Sequence, residues 1–448
     1  MSGLRFAAPA FATLHDLMMR KTDAETCAIA YTHVNSACGS WVIAEAELVP
    51  DEAYERRDAG SAVLKPAFLV DVANRARAQG LGIVLAHTHL FADCVPSFSK
   101  IDDTGEIEIK AYLDRRAPGT DHLALVVGQH GCRCRRLGGG LEVPVWEVGE
   151  TVRLLSETGI TPASDAAHDR QIRAFGAQGQ TVVSKLRVVV VGAGGTGSIV
   201  LQQLVHLGVR DITVIDPDVV EKTNLNRLVG ARPADVGTPK VEVAHRAVLA
   251  VNPNAAVHAV RGDVVDDSVA KTLAAFDFAF LCTDSHASRA VVSQVAYQHL
   301  VPTIDMGVSI TVGLAGVEYI NGRVQMLAPG LTCLSCTRAL DGEQIRREMM
   351  TPDQRAADPY VQGVHEPQPA VISLNSTMAS LAVTMFLGAV TPVPAQARFQ
   401  LYDGVRGTVR PTVARANPEC IVCSAHGALA KGTSWPLPVR PKGGGNGR

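Results

Sequence analysis

Two α/β domains in series are what the sequence predicts, on three observations. Short β-branched runs alternate with helical stretches along the chain. One such run, Arg187–Val191, leads directly into a glycine-rich turn and then a helix-like segment. At 448 residues, 47% hydrophobic and 19% charged, the chain has globular composition and length for two or three self-supporting cores. The division expected is an N-terminal α/β domain over 1–150, a second domain over 151–430 and a flexible tail over 431–448. The second domain is read as a mostly parallel sheet with helices on both faces.

Within 1–150, the runs TCAIAYTHV, SWVIAEAELV, LGIVLAHTH, IEIKAYL and HLALVVGQHG read as strands, with helices near Thr13–Lys21 and Lys65–Gln79. Gly138–Gly140 and the weakly patterned stretch Glu147–Asp169 mark the exit from this domain. From about residue 170 the order becomes strand, turn, helix, strand. Ala370–Val390 carries no charge and is long enough to span a bilayer. Ser373, Asn375, Ser376, Thr377, Ser380 and Thr384 interrupt it, so a buried core or interface helix is expected and no membrane partner. The tail WPLPVRPKGGGNGR is rich in Pro and Gly; its Gly443–Gly445 run resembles the end of a ubiquitin-like protein, but a flexible terminus is the plainer reading.

Charge and cysteine usage narrow the function classes. Lys+Arg 42 against Asp+Glu 44 gives a net charge of −2, which argues against nucleic acid as a partner because counterion displacement needs a positive surplus. The N-terminus lacks the long apolar run of a signal peptide, so a cytoplasmic chain is expected. Ten cysteines are too sparse for a disulfide scaffold, and four of them form two C-x-x-C pairs, Cys333/Cys336 and Cys420/Cys423. Such thiolates can close a tetrahedral zinc site; a redox dithiol and unliganded buried cysteines are the alternatives.

The turn after Arg187–Val191 reads Gly192-Ala-Gly194-Gly195-Thr-Gly197-Ser198, and a second strand, DITVID, ends at Asp216. Glycines admit close approach of the backbone to phosphates, and an acidic residue after the second strand suits ribose hydroxyls. By itself this fits a nicotinamide oxidoreductase as well as an adenylating enzyme. Asp218, Asn224-Leu-Asn226-Arg227, Asp235-x-Gly237-x-x-Lys240, Asn252-Pro253, and Asp284 followed by Arg289 come next; Arg170-Gln171, Phe175-Gly176 and Gly179-Gln180 lie upstream. This ordered set resembles the Rossmann-like ThiF-type, ubiquitin-activating-enzyme-like adenylyltransferases over about residues 165–425. The resemblance implies ATP and Mg²⁺, with Asp216 at the ribose, Asn224, Arg227 and Lys240 at the phosphates, and Asp284 at the metal. It implies that Arg170 reaches across a homodimer interface, and that the two cysteine pairs hold a structural zinc.

His87-Thr-His89 ends the run LGIVLAHTH; histidines at i and i+2 of a strand share a face and can ligate one ion. Ser99-Lys-Ile-Asp102 follows, and Glu25 precedes the first strand run. The set resembles the JAB/MPN (JAMM) metalloprotease pattern over roughly residues 8–145. It implies His87, His89 and Asp102 as zinc ligands, Glu25 as the base that takes a proton from water, and Ser99 as an oxyanion donor. Leu90 replaces the usual Pro, and the gap before S-x-x-D is two residues longer than common; the insertion either bulges from a loop or unseats the ligand.

The expected function is ATP-dependent adenylation of the C-terminal glycine of a small ubiquitin-like or sulfur-carrier protein ending in Gly-Gly, coupled to zinc-dependent trimming or deconjugation of that protein. The alternatives are a nucleotide-dependent oxidoreductase, or an adenylyltransferase whose first domain is a non-catalytic carrier clamp. Between Cys336 and Cys420 the chain has no cysteine, and Cys282 is read as an ordinary strand residue. An enzyme thioester is therefore not expected, and a separate sulfur donor or conjugating enzyme would take over the acyl-adenylate.

Overall fold

The computed structural model describes residues 3–35, 38–90, 95–156, 166–351, 354 and 369–441. They form two compact units. The first comprises Met1–Ile160 together with Gln298–Leu300 and Ala428–Trp435; the second comprises Thr161–Tyr297, Val301–Gly427 and Pro436–Arg448. The boundary at 160 lies beyond the expected 150 because a last short strand still pairs with the first sheet.

The first unit is built from β1 (Gly3–Ala7), α1 (Ala8–Met19), β2 (Cys27–Asn35), β3 (Ser40–Leu48), β4 (Tyr54–Asp58), β5 (Ser61–Leu64), α2 (Pro66–Gln79), β6 (Gly82–Thr88), α3 (Lys100–Arg116), β7 (Leu123–Gly128), β8 (Gly131–Arg136), β9 (Glu142–Val143), β10 (Val145–Val148) and β11 (Val152–Leu154). Nine strands make one mixed sheet in the order β11-β10-β1-β3-β2-β6-β7-β8-β9, with β4–β5 a separate hairpin. Alternate residues of the central strands feed two cores. Leu4, Phe6, Ala28 and Ala30 pack with Phe11, Leu14 and Met18 of α1, while Ile29 and Tyr31 pack with Val72 and Ala76 of α2 and Leu113 of α3.

Two sequence expectations are corrected here. Helix α1 begins at Ala8 rather than near Thr13, with Pro9 in its first turn, where the missing N–H costs nothing. IEIKAYL was expected as a strand but lies inside α3. Ser99 caps that helix: its Oγ accepts from Asp102 N at 3.2 Å, and Asp102 Oδ2 accepts from Ser99 N at 2.6 Å. Once the helix starts there, Glu106, Ile109 and Leu113 fall on its inner face, while Ile107 is left 61% exposed.

The second unit contains α4 (Asp169–Lys185), β12 (Arg187–Val191), α5 (Gly195–His206), β13 (Asp211–Ile215), α6 (Lys240–Val251), β14 (Ala256–Val260), α7 (Asp267–Thr272), β15 (Phe278–Leu281), α8 (His286–Gln298), β16 (Thr303–Gly313), β17 (Gly316–Leu327), α9 (Gly342–Met349), α10 (Ile372–Val390), β18 (Phe399–Asp403) and β19 (Thr408–Pro411). The sheet order is β14-β13-β12-β15-β16-β17-β18-β19. The first five strands pair in parallel and the last three antiparallel. Val188–Val191 are buried, as expected of a central parallel strand covered on both faces. The order reverses between β12 and β15, and that crevice is where an open α/β sheet binds its ligand.

The glycines of the β12–α5 turn are demanded by space and by backbone angle. Gly192 has φ +97°, and a Cβ on Gly197 would sit 1.8 Å from the Gly192 carbonyl oxygen. Helix α10 is apolar and long enough to cross a membrane, yet it packs on α5, where Gln203 Nε2 donates to Ser380 Oγ at 2.8 Å. The tail is also less free than expected. Arg440 pairs with Asp263 at 2.8 Å and Asp266 at 2.6 Å, and its N–H donates to Val265 O. Gly443–Gly445 lie outside the described residues.

Gly197→Ala should lower the unfolding midpoint of the full chain by roughly 3–10 °C, because backbone must move to admit the methyl group. Gly194→Ala is the control, since its Cβ would meet nothing within 4 Å. Calorimetry finding equal midpoints for the two variants would contradict this account of the turn.

Candidate functional sites

In the second unit the site starts from Asp216, at the end of β13. Its side chain is buried, with Oδ2 accepting from Ala193 N at 2.7 Å and Oδ1 from Asp218 N at 2.9 Å. Burial raises its carboxyl pKa above the ordinary range, and Lys240 opposes that rise. The carboxylate thus fixes the glycine turn against the loop after β13. Asp218 passes the order on, since its Oδ2 takes Lys240 Nζ at 2.8 Å. Gly194 caps α5 without a side-chain acceptor, so the helix presents its first amides and the positive end of its dipole beside this carboxylate.

Around that helix start the predicted residues divide. Arg227 arches over Gly195, its Cγ and Cδ 3.1 Å from where a Cβ would be, while Nη1 donates to Thr223 O at 2.7 Å and Asn226 Oδ1 at 3.1 Å. Asn224 is held locally, its Oδ1 accepting from Glu221 N at 3.0 Å. Asp284 is exposed just past β15, and Arg170 is exposed in the first turn of α4. Gly192, Gly194, Gly195, Gly197, Asp216, Asp218, Arg227 and Lys240 thus converge at the β12–α5 crevice.

Two residues at this end were not anticipated as site residues. Glu348 of α9 accepts from Ser285 Oγ and Ala287 N, both at 2.7 Å, so it seats α9 on the start of α8 beside Asp284. Asn375 of α10 lies against Gly195, its Nδ2 2.4 Å from the position of a Cβ there. The signal available for Asn375 was a polar residue inside an apolar run, which spoke only against a membrane span.

The four predicted cysteines come together. Cys333 and Cys420 sulfurs are 3.5 Å apart, Cys336 and Cys423 sulfurs 3.6 Å apart, and all four lie within 4.8 Å of one another. A tetrahedral ion with bonds of about 2.3 Å to sulfur sets its ligands about 3.8 Å apart, so these residues fit zinc. Hydrogen bonds from Cys423, Cys336 and Cys420 pull the Cys333 thiol below the ordinary range, which favours a thiolate there. The pairs join segments 87 residues apart, which two-residue spacing alone could not do.

In the first unit His87 of β6 and His89, the first residue past its end, both face the start of α3. His87 Nε2 lies 3.2 Å from His89 Nε2 and 3.2 Å from Asp102 Oδ1; His89 Nε2 lies 3.5 Å from Asp102 Oδ2. Tetrahedral zinc with bonds of about 2.0–2.1 Å spaces nitrogen and oxygen ligands about 3.3 Å apart, so this donor set also fits zinc. The His89 ring further hydrogen-bonds the backbone of Ser97, a contact that orients a ligand. The long gap before Ser99 therefore leaves the three candidate ligands together; residues 91–94 within it lie outside the described residues.

Glu25 is buried next to this cluster, and burial raises its carboxyl pKa although His87 and His89 pull it down. Its backbone is clamped by the β4–β5 hairpin: Glu25 N donates to Asp58 O at 2.9 Å, and Arg57 Nε donates to Glu25 O at 2.6 Å. Ser99 Oγ is engaged as an acceptor in the α3 cap, which leaves its hydrogen free to donate.

Comparison with known proteins bears on the second unit. The sequence profile of the ThiF family matches residues 168–422, more than half the chain. The molybdopterin-synthase adenylyltransferase of Escherichia coli is 30% identical over 260 residues, covering 57% of this chain and 95% of its own. The sulfur carrier protein adenylyltransferase of Thermus thermophilus is 31% identical over 253 residues, 55% of this chain and 86% of its own. The SAMP-activating enzyme E1 of Haloferax volcanii is 28% identical over 252 residues, 56% of this chain and 85% of its own.

Cys282 stands at the end of β15, where desolvation, with Asp305 nearby, raises its thiol pKa far above the ordinary value. Burial pushes Cys27 and Cys132 up to about 12. Alkylation of the native protein at pH 8, read by peptide mass mapping, should modify Cys282 at least about a hundredfold more slowly than a free thiol. Modification at the free-thiol rate would contradict this picture of the strand end.

Proposed function

The chain belongs to the ThiF family, and from that premise we propose that it adenylates the C-terminal carboxylate of a small ubiquitin-like or sulfur-carrier protein ending in Gly-Gly. The observation that carries the reading is the linked set Ala193–Asp216–Asp218–Lys240 beyond the C-terminal ends of β12 and β13, beside the point where the strand order reverses. In the reaction a carboxylate oxygen of the terminal glycine attacks the α-phosphorus of ATP, the bond to the β-phosphate oxygen breaks, and pyrophosphate leaves. Negative charge grows on the α-phosphate and on pyrophosphate, and cations fixed beforehand stabilise it best. Asp216 would hold the ribose; Asn224, Arg227, Lys240 and the first amides of α5 would meet the phosphates. Mg²⁺, held through Asp284, would neutralise phosphate charge. In a homodimer, Arg170 of the partner subunit would complete the site.

The first unit is proposed as a zinc peptidase of the JAMM type acting on the same carrier in the cytoplasm. The 3.2–3.5 Å spacing of the His87, His89 and Asp102 donor atoms supports it. Zinc at this set would act as a Lewis acid and lower the pKa of water. Glu25, held by Arg57 and Asp58, would take the proton from water and return it to the leaving amine, while the Ser99 hydroxyl donates to the oxyanion. Covalent linkage of the two activities raises the effective concentration of the trimmed carrier at the second site.

For adenylation, Asp284→Ala and Arg227→Ala should each lower carrier-dependent ATP–pyrophosphate exchange roughly 10²–10³-fold with the fold intact. Mixing Arg170→Ala with Asp284→Ala should restore part of the activity. Exchange at the wild-type rate in the two single variants would remove the assigned site.

For proteolysis, metal analysis should find two zinc ions per chain. Glu25→Ala should keep both ions yet cease cleaving after Gly-Gly, and His89→Ala should lose one ion and the cleavage. One zinc in the wild type would reduce the first unit to a carrier clamp.

A further inference from the structure

Asn375 occupies the fourth position of α10, a 19-residue helix whose other inward residues are mostly apolar. Its side chain is 7% exposed, and among the described residues its carboxamide makes no hydrogen bond. Its amide atoms are not wholly sealed from solvent, so an unpartnered donor stands at a nearly closed place where a ligand's acceptor can take over from water. The amide points at the first residue of α5, with Nδ2 2.4 Å from where a Gly195 Cβ would be. At that same residue Arg227 lies 3.1 Å away through its Cγ and Cδ. Gly195 is thus a glycine because two side chains, one from the loop after β13 and one from α10, crowd the uncapped start of a 12-residue helix. Ser380, five residues on, takes Gln203 Nε2 of α5 and fixes the register of the two helices.

We propose that Asn375 is a nucleotide-binding residue, its carboxamide donating a hydrogen bond to a phosphate oxygen of ATP held at the start of α5. The inference rests on the adenylation reading above and extends it to an element about 180 residues from the glycine turn. An anion placed there receives backbone amides, the helix dipole, the Arg227 guanidinium and this amide together. The polar break in the apolar helix thereby acquires a function.

The test is the affinity of the full-length protein for MgATP by titration calorimetry, with thermal unfolding as the check on folding. Asn375→Ala should weaken binding roughly 10- to 100-fold, and Asn375→Asp should weaken it further because a carboxylate then faces phosphate. If the alanine variant does not fold, Asn375→Ser, which keeps a shorter donor, should bind with intermediate affinity. Lys240→Ala is measured in parallel. Loss of affinity in Lys240→Ala with wild-type affinity in Asn375→Ala, or in Asn375→Ser where that variant is used instead, overturns the role of Asn375 and leaves the adenylation reading in place. Absence of MgATP binding in the wild type removes that reading and the inference with it.

Discussion

Asp216 accepts two backbone N–H bonds, one from the turn after β12 and one from the loop after β13, and the geometry of this end of the second unit follows from those two bonds. One ties the glycine turn to the sheet; the other starts a relay through Asp218 to Lys240. Because the carboxylate is buried, both bonds act in a low dielectric and resist exchange with water. The close approach of Gly197 to the Gly192 carbonyl then fixes where α5 begins, and so where its amides point. Removing the carboxylate would leave the buried Ala193 N–H unsatisfied and detach both the turn and the lysine.

The first unit solves a similar problem with a helix cap. Asp102 closes the α3 capping box through Oδ2, and the same carboxylate faces His87 and His89. Capping the helix and placing the three donor groups are therefore one arrangement. The start of α3 cannot slide without moving Asp102 away from both histidines, and Ser99 is held in position by the same two bonds.

Much of this was legible in the sequence, and the gaps have physical reasons. Val188–Val191, the four glycines and Asp216 could be read because a central parallel strand, a tight turn and the end of the strand beside it each restrict residue type strongly. The histidine pair was legible because period two puts His87 and His89 on one face. IEIKAYL misled because Ile-Glu-Ile alternates like a strand; the cap set upstream by Ser99 and Asp102 decides otherwise. Arg440's pairing and Asn375's place against Gly195 could not be read, since the residues they meet lie more than 170 positions away and nothing local marks the contact. Glu348 was hidden for the same reason: a glutamate on a charged helix looks solvated until α8 is placed beside it.

On the proposed function, the chain would transfer AMP to a carrier carboxylate and stop at the acyl-adenylate. Mass spectrometry can decide whether it does, applied to a Gly-Gly-ending carrier and the full chain together after incubation with MgATP and pyrophosphatase under non-reducing conditions. A carrier heavier by one adenylate and an enzyme of unchanged mass are expected. An unmodified carrier, or an enzyme bearing the carrier through a thiol-sensitive bond, would contradict it.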